Sequence, residues 1–333
     1  MINIIQAGAG PLGLHVSKFI IERKGLNLVG MVDLNPELEG KDVGELAGAG
    51  KTGVTVSGSI DEAIQKAKNQ PSVGVLTTVS SVKKLIPTVE EFASKKLDIV
   101  TTCEELSYPW QQHPNEAEKI DKICRNHGVT CVGTGVNPGF LMDYLPSVIL
   151  SICQDVEHVE VQRIQDASVR RVPFQKKIGA GLTHEQFEEE KQKGTLRHVG
   201  LPESADMIAG AMNLRFDENN ETLEKVLATE KLTSGYKTIE KGEPCGVEQI
   251  TSGIVDGKER VKLQFRAAVG EGESYDKVIV KGNPDFESVI PGGINGDVAT
   301  SAITVNTIQS VYKCESGLKT MLDIPAPAWF ANT

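Results

Sequence analysis

Through about residue 135, short β-branched runs alternate with amphipathic stretches along the chain. The runs Ile2–Ile5, Leu26–Val32, Val54–Val56, Val73–Thr78, Ile99–Cys103 and Val129–Gly133 read as six strands. Their weak polar/apolar alternation fits strands covered on both faces. Between them, Leu12, Val16, Phe19 and Ile20 recur at helical spacing, Ser59 with Glu62 forms a capping box opening 60–69, and Ala117, Ile120 and Cys124 line one face of 115–127. His127-Gly128 closes that last helix as a C-cap. Strand and helix in alternation predict a Rossmann-type, doubly wound α/β domain with a parallel sheet.

Beyond Gly135 the alternation stops. NPGFLMDYLP leads into a helix near 142–153 and a strand near 156–165, followed by a polar, basic loop at 168–181 and a second capping box at Thr183 and Gln186. Asp256-Gly257, between two alternating runs at 247–255 and 259–269, predicts a hairpin, and 275–281 another strand. Residues 297–313 form a long helical pattern whose apolar face needs a partner, and the first domain is the expected one. The predicted organisation is a dinucleotide-binding domain of residues 1–136 and 292–333 enclosing an α+β substrate-binding and oligomerisation domain of residues 137–291.

A length of 333 residues supports two such cores. Lys+Arg 35 against Asp+Glu 45 leaves a net charge of −10, with no basic block, so a nucleic-acid partner is not expected. MINIIQAG opens as a strand, without a charged leader, and LPSVILSIC at 145–153 is too short to span a bilayer, so neither secretion nor a membrane is expected and a cytoplasmic location follows. The six cysteines contain no CxxC pair and predict reduced core thiols, with no metal site.

The sharpest chemical signal is AGAGPLG, with Gly8, Gly10 and Gly13 at GxGxxG spacing directly between a strand and the helix that begins at Pro11-Leu12. Gly8 permits the tight turn, Gly10 lets a pyrophosphate approach the backbone, Gly13 lets helix and strand pack closely, and the helix N-terminus offers unpaired N–H donors. Asp33 stands twenty residues after Gly13, where a carboxylate accepts from ribose hydroxyls and repels a 2′-phosphate. The cofactor read from this is NAD or NADP, with NAD favoured, against the alternatives of a glycine turn without a ligand and of an S-adenosylmethionine or flavin site on a similar fold. Thr77, Thr78 and Thr101 end two strands at the edge where such sheets bind ligands, and Asn137 follows the sixth strand. Each also has an ordinary explanation, as a strand or turn former.

At the end of the fifth strand the chain reads TTCEELSYPW, and Glu104 and Glu105 emerge where a nicotinamide would lie. Adjacent carboxylates usually point apart, so one can face a site while the other caps a helix; the competing reading makes both solvated acids of a helix start. In the second half, Arg170, Arg171, Lys176 and Lys177 leave room to bind one carboxylate, against the alternative of a solvated or oligomer-contact loop. His198 is a donor candidate there, weighed against a packed imidazole.

Over most of its length the sequence resembles the family of 2,4-diaminopentanoate dehydrogenases and native amine dehydrogenases, within the dihydrodipicolinate reductase-like group. GAGPLG, TTCEELSYP, GTGVNPGF, DASVRRVPFQKKIGAGL, RHVGLPES and DVATSAITVN carry the likeness in this order. It implies NAD(P)-linked oxidative deamination, with 2,4-diaminopentanoate as the first-choice amine and 2-amino-4-oxopentanoate and ammonia as products. It also implies an acid–base glutamate after the fifth strand, which falls on the Glu104-Glu105 pair without choosing between them. Dihydrodipicolinate reductases carry a paired-histidine segment, but the corresponding stretch here has no His pair. The alternatives are an imine or carbonyl reductase of the same group and a non-catalytic NAD-binding sensor. The partners expected are a small-molecule amine substrate and a second copy of the chain in a homodimer, since the sheet of 247–281 has a face or edge to cover.

Overall fold

The computed structural model describes residues 1–312 and 314–330. Lys313, placed by the sequence pattern at the end of the late helix, and residues 331–333, placed in the first domain, lie outside them. The chain divides into two units, Met1–Phe140 with the chain from Asn295 on, and Leu141–Ile294.

In the first unit, β1 (Ile2–Ala7), β2 (Leu26–Val32), β3 (Val56–Ser57), β4 (Val73–Leu76), β5 (Asp98–Thr101) and β6 (Thr130–Gly133) alternate with helices α1 (Pro11–Glu22), α2 (Val43–Leu46), α3 (Ile60–Lys66), α4 (Val82–Ser94) and α5 (Pro114–His127). A returning helix, Gly296–Val311, and a last strand, Gly317–Lys319, complete it. The strands form one seven-stranded sheet in the order Gly317–Lys319, β6, β5, β4, β1, β2, β3, with every pair parallel. Because both faces are covered, the central strands are buried at almost every position. Ile60 and Ala63 of α3, Leu85, Val89 and Phe92 of α4, and Ala117, Ile120 and Cys124 of α5 share one apolar cluster with Ile5, Leu76, Ile99 and Cys131 of the strands. The returning helix packs against α1, where its Ser301 hydroxyl meets His15 Nδ1 at 3.1 Å.

Local chemistry explains most element ends. Gly128 stops α5 in the left-handed conformation (φ 69°, ψ 36°). At α3 only half of the expected box forms: the Ser59 hydroxyl accepts from the Glu62 N–H, while the Glu62 carboxylate takes the Gly58 N–H. The expected third strand, Val54–Val56, shifts to Val56–Ser57 because the Asp42 carboxylate draws the Thr52 and Gly53 N–H groups into a loop.

The second unit holds α6 (Tyr144–Ile149), β7 (Asp155–Asp166), α7 (Val172–Lys177), α8 (His184–Gln192), α9 (Leu201–Ala211) and strands β8 (Glu218–Leu227), β9 (Leu232–Thr233), β10 (Thr238–Ile239), β11 (Pro244–Val255), β12 (Lys258–Ala268), β13 (Tyr275–Asn283) and β14 (Phe286–Pro291). Six strands make a mixed sheet in the order β14, β13, β7, β12, β11, β8, parallel only between β12 and β7. The turn at Asp256-Gly257 has positive φ at both residues (51° and 71°), as a tight hairpin requires. Thr183 and Gln186 form the full reciprocal capping box of α8. Residues 168–181, expected as loop, contain the short helix α7, started by Pro173 in its first turn. All six thiols are free.

Candidate functional site

The glycine turn sits where β1 ends. Gly8 has φ +98°, and a Cβ there would stand 2.6 Å from the Thr77 carbonyl oxygen. A Cβ on Gly13 would lie 1.9 Å from the Gly8 carbonyl oxygen, so helix and turn touch only because that atom is missing. Gly10 differs, since nothing lies within 4 Å of where its Cβ would be. The Gly10 position therefore faces open space, as an approaching pyrophosphate needs. Gly10 is also the N-cap of α1 and brings no side-chain cap, while Pro11 and Leu12 begin the first turn, so among the described residues no side chain caps its N–H groups.

The turn is braced from behind. Gln6, a fully buried amide in an otherwise apolar strand, donates to the carbonyls of Gly13 (2.7 Å) and Gly8 (3.3 Å). The Thr77 hydroxyl is 3.1 Å and 3.0 Å from the carbonyls of Ala7 and Gly8, so Thr77 shapes the cradle. Thr78 is exposed at the mouth of the same strand end. Asp33 accepts the Ala9 N–H on Oδ2 (2.6 Å) and the Asn35 N–H on Oδ1 (2.8 Å), which fixes its carboxylate beside the turn. Gln6 escaped sequence reasoning, although a polar residue inside INIIQA was the available signal.

The C-terminal ends of β5 and β6 carry the second part. Buried Thr101 accepts the Cys103 N–H at 3.2 Å and shapes the start of a 3-10 turn, Glu104–Leu106. Burial, reinforced by the charges of Glu104 and Glu105, pushes the Cys103 thiol far up, so it stays protonated; its Sγ meets the Ser80 carbonyl at 3.1 Å. The two glutamates diverge. Glu105 Oε2 accepts the Val82 N–H of α4 at 2.8 Å and lies 3.7 Å from His113 Nε2. Glu104 is half-buried, and its carboxylate has no hydrogen-bond or ion-pair partner among the described residues. Asn137 follows β6 in a turn so tight that a Cβ on Gly139 would stand 2.4 Å from the Gly135 nitrogen. Both polar atoms of the Asn137 amide are buried without a partner among the described residues, an arrangement that a ligand amide or an ordered water would satisfy.

In the second unit the basic segment is more committed than a solvated loop. The Arg170 guanidinium lies over the Phe174 ring (4.3 Å), Arg171 is the N-cap of α7, and the Lys176 ammonium sits over the Tyr236 ring (5.1 Å). His198 stacks on Phe265 (4.4 Å between centroids), its backbone N–H and C=O are both held by the Gln249 amide, and its Nε2 is buried without a partner among the described residues. Burial first, then the positive charges of Lys177, Arg163 and Arg197, push its pKa down to about 3. The pattern did not single out Arg163, a buried guanidinium paired with Asp276 that also donates to the Ile294 carbonyl (2.9 Å). Among the described residues no group of three or more His, Cys, Asp or Glu side chains is placed to hold a metal ion, and no helix is long and apolar enough to cross a membrane.

Residues 140–333 match the model of the 2,4-diaminopentanoate dehydrogenase C-terminal domain, and residues 2–109 match that of the dihydrodipicolinate reductase N-terminus. The chain is 27% identical to a 2,4-diaminopentanoate dehydrogenase of Acetoanaerobium sticklandii, over 98% of this chain and 94% of that one. It is 22% identical to an amine dehydrogenase of Streptomyces virginiae, over 98% and 96% of the two chains. Among solved structures, an amine dehydrogenase from Mycobacterium smegmatis superposes with a TM-score of 0.84 at 20% identity, covering 99% of this chain and 97% of that one.

Proposed function

Because this chain belongs to the 2,4-diaminopentanoate dehydrogenase family and is an amine dehydrogenase, we propose that it oxidatively deaminates 2,4-diaminopentanoate to 2-amino-4-oxopentanoate and ammonia, with Glu104 as its acid–base residue. The observation that carries the assignment is the divergence of the two adjacent acids. Glu105 is engaged at the start of α4, whereas the Glu104 carboxylate, at the end of a central strand, has no partner among the described residues. A nicotinamide cofactor fits the first unit, since Gly10 faces open space and the Asn137 amide is buried without a partner.

In this reading Gly8, Gly10, Gly13, Pro11 and Leu12 shape the turn and helix end that receive the pyrophosphate, and Asn137 meets the carboxamide. Asp33 accepts from the ribose, and its charge disfavours a 2′-phosphate, so NAD is the preferred form. When bound, the nicotinamide supplies the acceptor for the two electrons and the hydrogen that leave the amine-bearing carbon. Glu104 takes the proton of the substrate ammonium, because only the free amine has a lone pair to form the C=N bond. That first proton passes to solvent, which frees the carboxylate to take a proton from the water that adds to the carbon and to return one to the nitrogen as the carbinolamine collapses. The net change converts ammonium substrate, oxidised cofactor and water into ketone, ammonium, reduced cofactor and one proton. The cations of the second unit, Arg170, Arg171 and Lys176, with the neutral His198, are assigned to the substrate's carboxylate end. A cytoplasmic homodimer completes the proposal.

Single-turnover formation of reduced cofactor, followed by absorbance with 2,4-diaminopentanoate and NAD or NADP, tests it. Glu104→Gln should slow the step by about 10²–10⁴-fold while leaving cofactor affinity within a few fold. An undiminished rate in that variant rejects the acid–base assignment, and turnover of other amines but not this one rejects the substrate.

A further inference from the structure

We propose that Glu105 is a positioning residue: it ties the loop after β4 to the turn after β5 and so holds Glu104 in place, taking no proton itself. The inference rests on Glu104 being the acid–base residue. Helix α4 begins after Ser81, whose side chain makes no capping bond. The first free N–H of that helix, on Val82, is taken instead by the Glu105 carboxylate, which comes from the neighbouring strand end. An anionic acceptor there is favoured by the positive end of the helix.

The contact is returned in the other direction. The Glu105 N–H donates to the Ser80 carbonyl at 3.2 Å, and the Cys103 thiol reaches the same oxygen. Residues 80–82 and 103–105 are therefore cross-linked by three bonds around Glu104, whose own side chain takes no part in them. A further restraint comes from the sixth strand: a Cβ on Gly133 would lie 2.6 Å from the Leu106 carbonyl oxygen, so the turn cannot retreat on that side. Of the two side-chain bonds joining the loops, the one to the Glu105 carboxylate is the charged one and the one that also satisfies the start of α4. His113 Nε2, at 3.7 Å, is an ionisable neighbour of the same oxygen. Shifting a reacting group by about 1 Å costs on the order of 10²-fold in rate, so a loosened turn should be seen in the chemical step.

Four variants of the full chain test this with 2,4-diaminopentanoate and NAD. Glu105→Ala should lower the single-turnover rate and kcat by about 10–100-fold, with the amine KM and cofactor Kd moving less than about threefold. Glu105→Gln, whose amide oxygen can still accept the Val82 N–H, should stay within about threefold of the parent. Glu105→Ala combined with Ser81→Asp gives α4 a local cap, so it should recover melting temperature but remain slow. A folded Glu105→Gln protein as slow as Glu105→Ala would overturn the proposal, because the charge itself would then be needed, and so would recovery of rate by Ser81→Asp, because helix stability would explain the loss. Glu104→Gln is the fourth variant: if it keeps the parent rate, the acid–base assignment has failed, whatever the Glu105 series shows.

Discussion

Three glycines a few residues apart carry three separable physical constraints, and substitution should separate them. A methyl on Gly13 has to displace the Gly8 carbonyl oxygen, 1.9 Å away, so Gly13→Ala should distort the turn and destabilise the first unit by about 1–3 kcal/mol. A methyl on Gly10 meets no atom of the described residues within 4 Å. Gly10→Ala should therefore change stability by about 1 kcal/mol or less while weakening NAD at least tenfold, because the methyl occupies the space a pyrophosphate needs. Thermal melts and cofactor titration of both variants check this; equal losses of stability would refute it. At this scale the motif was legible in the sequence, because GxGxxG spacing between a strand and a helix has few other uses. The choice between Glu104 and Glu105 was not, because adjacent residues in one turn are told apart only by what lies across from each. For Glu105 that partner is the Val82 N–H, 23 positions away in the chain.

Elements were readable where periodicity is strong and unreadable where an edge or a bond from outside the element decides. The hairpin at Asp256-Gly257 and the cap at Gly128 followed from local conformational demands. Strand β8 did not: ENNETLEKVL lies at the sheet edge, mostly exposed, so hydrophobic alternation hardly marks it. The last strand of the first sheet has three residues, too few to leave a pattern. The segment leading into α9 shows how an element's position depends on a titrating group. It is docked on the second sheet through His198, whose ring rests on Phe265 of β12 and whose backbone is held by Gln249 of β11. Burial and nearby cations keep that imidazole neutral in the folded state, down to about pH 3. In the unfolded chain it protonates below about pH 6.5. Between those values unfolding takes up a proton, so this group's contribution is fully present above about pH 6.5 and is lost as pH falls towards 3, by at most about 1.4 kcal/mol per pH unit. Denaturant melts of the parent and of His198→Gln from pH 7.5 to 4.5 should show the parent's relative advantage shrinking with acid; parallel curves would contradict the docking argument.

At the scale of the whole molecule, the α/β class was legible because six β-branched runs and their intervening helices occur in order, and because the segment after the mixed sheet has a helical pattern with no partner near it in sequence. The structure gives that helix its partner in α1, where Arg23 also donates to Asn306 Oδ1 at 3.3 Å. Assembly is written more faintly. The second sheet keeps Val159, Val161, Val247, Val261 and Leu263 on its buried face. Its outer rows, paired as Ile250 with Gln264 and Tyr275 with Ile164, mix apolar side chains with ion pairs such as Lys262–Glu160 and Lys277–Glu287, and Val289 on the edge strand β14 is 45% exposed. We propose that this mixed face meets a second copy of the chain. Light scattering should therefore return twice the 35.9 kDa of one chain. Two chains of net charge −10 repel one another, so the dimer should tighten as salt screens them. Ile279→Asp, on β13 opposite Glu160 and Glu287, adds a third carboxylate to one row and should shift the protein towards monomer with NAD affinity kept. A monomeric parent at micromolar concentration would refute the expectation, and a dimer indifferent to Ile279→Asp would move the interface to another surface.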